Sequence, residues 1–246
     1  MKRLRRVTEA EVIAEFLKNE FYQEEFHRDR QQFEHLVLDA DVTSEEQNML
    51  RRALLFRRRG HMWRELPPDT QWWEMQLDTE DLCKLRVFPR AHWRKIANGS
   101  FALADIVDRI RSRKFSGRVA DFISKIQSLS YHLRHMTDVS SVILIGEGED
   151  SSVTIIEGNH RLTAAMLGAP EALRERFRVF MGISPRMNEV CWHNGTFKNL
   201  VRYARNRLKH LGYDEEADLS RLPVQAAAMS TASYAKAVGK VMPESK

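Results

Sequence analysis

Cysteine is nearly absent. The chain carries two, Cys83 and Cys191, far apart and in no framework of paired spacings. That excludes a disulfide scaffold and suits a reducing compartment. Long apolar runs are missing as well. No stretch approaches the roughly 18 consecutive apolar residues of a membrane span. The basic N-terminus, "MKRLRRVTEAEVIAEF", lacks the apolar segment of a secretory signal. A cytoplasmic protein with no membrane partner is the expectation. There is no internal repeat and no long low-complexity block.

What is present fits a soluble globule. Of 246 residues, 43% are hydrophobic and 30% charged, enough for one large domain or a core with helical additions. The net charge of +5 and pI near 9.3 favour an anionic partner. They do not choose between DNA, RNA, a nucleotide and an acidic metabolite.

The chain divides in three. Residues 1–66 read as a helical N-terminal region. Thr8 and Glu11 form a capping box, and Val12, Phe16, Leu17 and Phe21 recur at helical spacing. Thr43 with Glu46 opens a second helix, for which Gly60 is the expected stop. Pro67-Pro68 marks a boundary. Residues 67–185 read as a small α/β core. "QWWEMQL" (71–77), "SSVILIG" (140–146), "SSVTIIEG" (151–158) and "RFRVFMGI" (176–183) are strands. "VADFISKIQSLSYHLRHM" (119–136) and a segment from Asn159 to Leu167 are helices, the latter capped by Gly168. Residues 91–118 are polar and mixed, with a turn at Asn98-Gly99-Ser100. Residues 186–246 form a C-terminal region with a basic helix (195–212) and an Ala- and Ser-rich tail. The expected fold class is thus α/β, a mixed-sheet core with helical additions.

"IIEGNHRLTAAM" (155–166) carries the chemistry. A strand ends near Glu157, Gly158 permits a tight turn, and Asn159 is a strong N-cap residue. The helix that follows presents unpaired N–H groups and a positive dipole end, a ready anion site. His160 and Arg161 in its first turn oppose that dipole, which makes sense if an anion faces them. Arg161 can offer a bidentate fork to phosphate or carboxylate, and His160 can donate to the same group or shuttle a proton. The plainer reading is a structural Glu157–Arg161 salt bridge beside a half-exposed His160.

The stretch "TIIEGNHRLTAAMLGA" resembles the signature of the ParB/sulfiredoxin superfamily, an acidic strand end followed by Gly-x-x-Arg opening a helix. "WWEMQLDTEDLCKLRVFPR" resembles that family's opening strand and its extended Pro-Arg segment. "VADFISKIQSLSYHLRHMTDVSSVILIG" resembles its helix and the strand before the signature. The similarity covers Gln71 to Ile183. It implies a ParB/sulfiredoxin-like core that binds nucleotide phosphates at the corner through Gly158, Asn159, His160 and Arg161, with Arg90 as the Pro-Arg arginine.

The departures matter. Asn159 stands where sulfiredoxins have a reactive cysteine. The Gly-x-His-Arg order is nearest to free-serine kinases, but "RVFPRAHW" lacks their catalytic glutamate, leaving Glu74, Asp78, Glu80 and Asp81 as the nearest substitutes. No helix-turn-helix of the partition proteins is evident after residue 184.

The resemblance implies an ATP-dependent (or related nucleotide-dependent) phosphotransferase or hydrolase acting on a small molecule. Glu157, His160 and Arg161 would be catalytic, and Glu157 would serve as base or Mg²⁺ ligand. The rival is a ParB-like nucleotide switch gripping DNA through Arg51–Arg59 and Lys198–Lys209. A third reading is an enzyme whose pocket holds an anionic substrate and no nucleotide. Cys191 and His193 lack a second pair for zinc. Trp72 or Trp93 could line a nucleotide pocket, and Ser184 and Arg186 could frame a ligand.

Overall fold

The computed structural model describes residues 1–89, 91–135, 139–168, 170, 172–211 and 215–218. Its elements in chain order are β1 (Lys2–Val7), α1 (Glu9–Glu20), α2 (Arg30–Leu38), α3 (Glu45–Trp63), β2 (Gln71–Gln76), β3 (Leu85–Arg86), α4 (Ala91–Ala97), α5 (Leu103–Ser112), α6 (Gly117–His135), β4 (Ser140–Gly146), β5 (Val153–Glu157), α7 (Asn159–Gly168), α8 (Ala172–Arg176), β6 (Phe177–Ile183) and α9 (Phe197–Leu211). Short 3₁₀ turns lie at Glu24–Phe26, Thr79–Lys84, Met187–Glu189 and Glu215–Ala217. The chain forms two compact units. One comprises Met1–Val12 and Arg64–Asn206; the other runs over Ile13–Trp63 and continues from Arg207.

The first unit is an α/β fold around a six-stranded mixed sheet of order β1-β2-β6-β4-β5-β3. The β4–β6 and β3–β5 pairs are parallel, and the others antiparallel. Strands β4 and β5 are apolar at nearly every position because both sheet faces are buried there. Val142, Leu144, Val153, Ile155, Val179 and Met181 alternate along their strands onto one face. On it lie Trp93, Ile96, Leu103, Ile106, Val107, Ile123, Ile126, Leu162 and Ala165. That cluster positions the helix after β5.

Two features depart from the sequence reading. The first residues are not helical: "KRLRRV" forms an edge strand, paired antiparallel to β2 with a register shift between Arg3 and Arg5. Its side chains up to Arg6 are exposed, as befits an edge guarded by cations. The polar stretch 91–118 holds two helices, α4 and α5, whose Ile96, Ile106, Val107 and Ile110 are buried. Its turn falls where expected, at Asn98 (φ 45°) and Gly99 (φ 95°).

The second unit is helical. The first turn of α1, which still belongs to the first unit, carries the Thr8–Glu11 box, with Thr8 N–H donating to Glu11 Oε2 (2.8 Å) and Glu11 N–H to Thr8 Oγ1 (3.2 Å). The second expected box does not form. Ser44 caps α3, accepting from the Gln47 N–H (3.3 Å), while Thr43 bonds to Asp41. The helix also runs through Gly60 to Trp63, since Gly60 is buried and packing outweighs its weak propensity.

Candidate functional site

The corner is built by local demands. Gly158 has φ 96°, a conformation open chiefly to glycine. A Cβ there would lie 2.9 Å from Val142 Cβ and closer still to Val142 Cγ1. The turn is therefore pressed onto β4, and α7 starts directly over the sheet. The Leu162 N–H donates to Gly158 O (2.9 Å), which makes Gly158 the cap residue. Asn159, expected as the cap, is the first helical residue instead. Its Oδ1 accepts the Phe88 N–H (2.8 Å) and its Nδ2 donates to Ile155 O (3.3 Å). The amide thus ties the segment after β3 to the corner. Phe88 lies beyond the end of β3, and a side chain rather than a strand accepts its N–H.

Glu157, the last residue of β5, and Arg161, in the first turn of α7, face each other across the strand-to-helix turn. Arg161 Nη2 donates to Glu157 Oε1, and the two side chains are only 19% and 17% exposed. The salt bridge weighed against the anion reading therefore forms. His160 projects from the same turn, exposed at its edge. Its ring lies 5.0 Å from Phe122 and 5.5 Å from Trp93. His92 stacks on Phe122 at 4.9 Å, and Trp93 meets Phe122 edge-on at 5.0 Å. Four rings from α4, α6 and α7 make one wall beside the charged pair. Trp93 is buried in it, while His92 and Phe122 are half-buried.

Sequence reasoning named Trp93 as a possible wall residue but missed His92 and Phe122. The available signal was His92-Trp93 next to the Pro-Arg segment, together with Phe122 at a helical period from Ile126. Arg90, expected to meet the phosphates, lies outside the described residues.

Other candidates are occupied elsewhere. Glu74 sits on β2, which β6 and β4 separate from β5, between Arg5 (2.7 Å) and Arg178 (3.0 Å). Burial alone would raise its pKa, but these two guanidiniums outweigh that and lower it. Asp81 holds the N-terminal ammonium at 2.6 Å and closes a capping box with Asp78. Ser184 and Arg186 both bind Asp69, at 2.9 Å each. Trp72 is buried in the sheet-bearing unit, against Gly182. His193 Nδ1 lies 3.0 Å from Thr154 Oγ1, and burial lowers its pKa. Among the described residues no three His, Cys, Asp or Glu side chains are grouped to hold a metal.

The basic run of α3 is likewise engaged. Arg51 is fully buried, with Nη1 donating to Leu36 O (3.1 Å) and Nη2 to Asp41 O and Asn48 Oδ1 (2.6 Å each). Arg57 and Arg58 share Asp29 at 2.7 and 3.0 Å, Arg59 pairs with Glu20 at 2.9 Å, and Arg52 with Glu216 at 3.4 Å. The arginines that the DNA-binding reading draws on are thus engaged in intrachain pairs.

No protein-family model, no curated protein and no solved structure matches the chain. The chemistry of the corner therefore has to come from its own side chains. Among the described residues no helix is long and apolar enough to cross a membrane.

Proposed function

We propose that the protein is a nucleotide-dependent enzyme. It would hold the phosphates of ATP, or a related nucleotide, at the 157–161 corner and transfer or hydrolyse phosphate on a small-molecule substrate. One observation carries this reading: the first turn of α7 offers the Arg161 guanidinium, paired with Glu157, beside a half-exposed aromatic wall. A helix N-terminus favours anions through its dipole and its outward N–H groups. A planar base suits the rings of His92, Phe122 and His160.

The Glu157–Arg161 pair gives the corner two settings. Without an anion the charges neutralise each other. A phosphate that takes the guanidinium releases the carboxylate, since phosphate matches its fork as well as carboxylate does. The freed Glu157 can then accept a proton from an attacking hydroxyl or water. His160, on the same turn, can donate to a phosphate oxygen. Mg²⁺, when bound, would supply positive charge to offset that of the phosphates. Glu157 is the corner's own carboxylate for it, so the ion would arrive with the nucleotide. Both cysteines are free thiols, which supports a reducing, cytoplasmic setting. The DNA-binding alternative draws on basic helices, and the arginines of α3 are held by acceptors of their own unit, so the enzyme reading is the better supported.

A thermal-shift screen against ATP, ADP, CTP, GTP and AMP, with and without Mg²⁺, tests the proposal. One nucleotide should raise the melting temperature, by mass action on the native state. Arg161→Ala should abolish the shift. Glu157→Gln should keep or increase it, because a competitor for Arg161 is gone, while phosphate turnover falls. No shift with any nucleotide, or a shift that survives Arg161→Ala, overturns the assignment.

A further inference from the structure

Helix α9 is turned inside out. Its inward face is polar. Asn199 Nδ2 donates to Asn188 O (2.9 Å) and Asn194 O (2.7 Å). Arg202 bonds to Glu189, through Oε2 at 2.9 Å and through the carbonyl, and Asn206 donates to the buried Glu65. Tyr203 packs edge-on against Trp192 at 4.8 Å. The outward face is apolar: Phe197 is 83% exposed, Leu200 44%, Val201 54% and Leu208 69%. At about 100° per residue the two faces lie on opposite sides of the helix. A surface helix ordinarily buries the apolar stripe.

The spacing of that stripe is specific. Phe197, Val201, Ala204 and Leu208 step by four, three and four residues. That step is the seam of a helix which pairs with another helix, and Leu200 borders it. The positions beside the seam are cationic, with Lys198 and Arg205 exposed along one edge. Lys209 is exposed farther round on that side.

We propose that the outward face of α9 docks an amphipathic helix of another protein, whose apolar seam is flanked by Glu or Asp. Charge selects this occupant. A second copy would set Lys198 and Arg205 against like charges in a chain of net charge +5. The chain's own residues 219–246 carry Arg221, Lys236, Lys240 and Lys246 against Glu244 alone, a charge of the same sign as the seam's edge. An acidic helix gains apolar burial along the seam and ion pairs along its edges.

The test uses the full chain and a fluorescent synthetic helix of three heptads, with Leu in the seam and Glu beside it. Its counterpart carries Lys in place of Glu. The Glu peptide should bind, more weakly as salt rises, and the Lys peptide should not. Val201→Asp should weaken binding at least tenfold without lowering the melting temperature, because the site is exposed. The double variant Lys198→Glu, Arg205→Glu should reverse the preference between the two peptides, and it tests the idea even if Val201→Asp misfolds. Failure of the Glu peptide to bind, or binding indifferent to both variants, overturns the proposal. So does sedimentation with phosphatidylglycerol vesicles, or dimerisation, that Val201→Asp removes while the peptide never binds.

Discussion

Asn159 Oδ1 accepts the backbone N–H of Phe88 across 71 positions of sequence, at 2.8 Å. One side chain thereby fixes both the start of α7 and the extended segment that leads to α4. The aromatic wall and the charged pair keep their relative position partly through this bond. Asn159→Ala leaves the Phe88 N–H and the Ile155 carbonyl to find other partners. The expected cost is about 1 to 3 kcal/mol, read as a lower denaturant midpoint. Asn159→Asp keeps the acceptor for Phe88 but sets a second oxygen against the Ile155 carbonyl, so it should recover only part of the loss at neutral pH.

Gly158 is held by conformation and by space together. Gly158→Ala must adopt φ 96° and drive a methyl group into Val142. Overpacking of this kind costs about 1 to 3 kcal/mol, and the backbone strain adds to it. Chemical denaturation should show a clear loss. Adding Val142→Ala relieves the clash but not the φ, so the double variant should lose less than the sum of the two single changes. Strict additivity would mean that the contact does not limit the site.

His193 makes stability depend on pH. Burial is the main cause of its lowered pKa; Glu147 opposes the shift and Arg86 adds to it. An unfolded histidine titrates near pH 6.5. Between that value and the lower folded one, the unfolded chain binds more protons, so stability falls as pH drops from about 6.5. Glu65, whose pKa burial raises, acts with the opposite sign at lower pH, above the ordinary glutamate value. The effect of His193 is therefore read as the difference between the native chain and His193→Gln, melted in parallel from pH 8 to 5. The difference should shrink or reverse on acidification. A constant difference would mean that His193 is not the group responsible.

Much of the core was legible because its signals are local. The apolar runs at 140–146 and 153–157 needed only β-branched residues and flanking turns to read as strands, and β4 and β5 lie there. The Thr8–Glu11 box closes over three residues, and the Gly158 turn over one. The corner with His160 and Arg161 on a first helical turn, and its Glu157–Arg161 pair, followed from the same short range.

What the sequence by itself determined, then, is the strand–turn–helix corner, the helical periods and the charged residue types available there. The tertiary structure alone decided which partners those residues took. "KRLRRV" has no strand alternation of apolar residues, and it became β1 because β2 offered an open edge to pair with. The helices α4 and α5 hid in a polar stretch, since a few apolar positions suffice once a sheet face waits to be covered. Arg51 looked like one cation among five and is buried under four backbone and side-chain acceptors that only folding brings together. Helix α9 has a plain amphipathic pattern, yet its polar face went inward because Glu65, Glu189 and two asparagine carbonyls were there to bond it. Hydrogen-bond and ion-pair choices depend on groups far apart along the chain, and no window of neighbouring residues contains them.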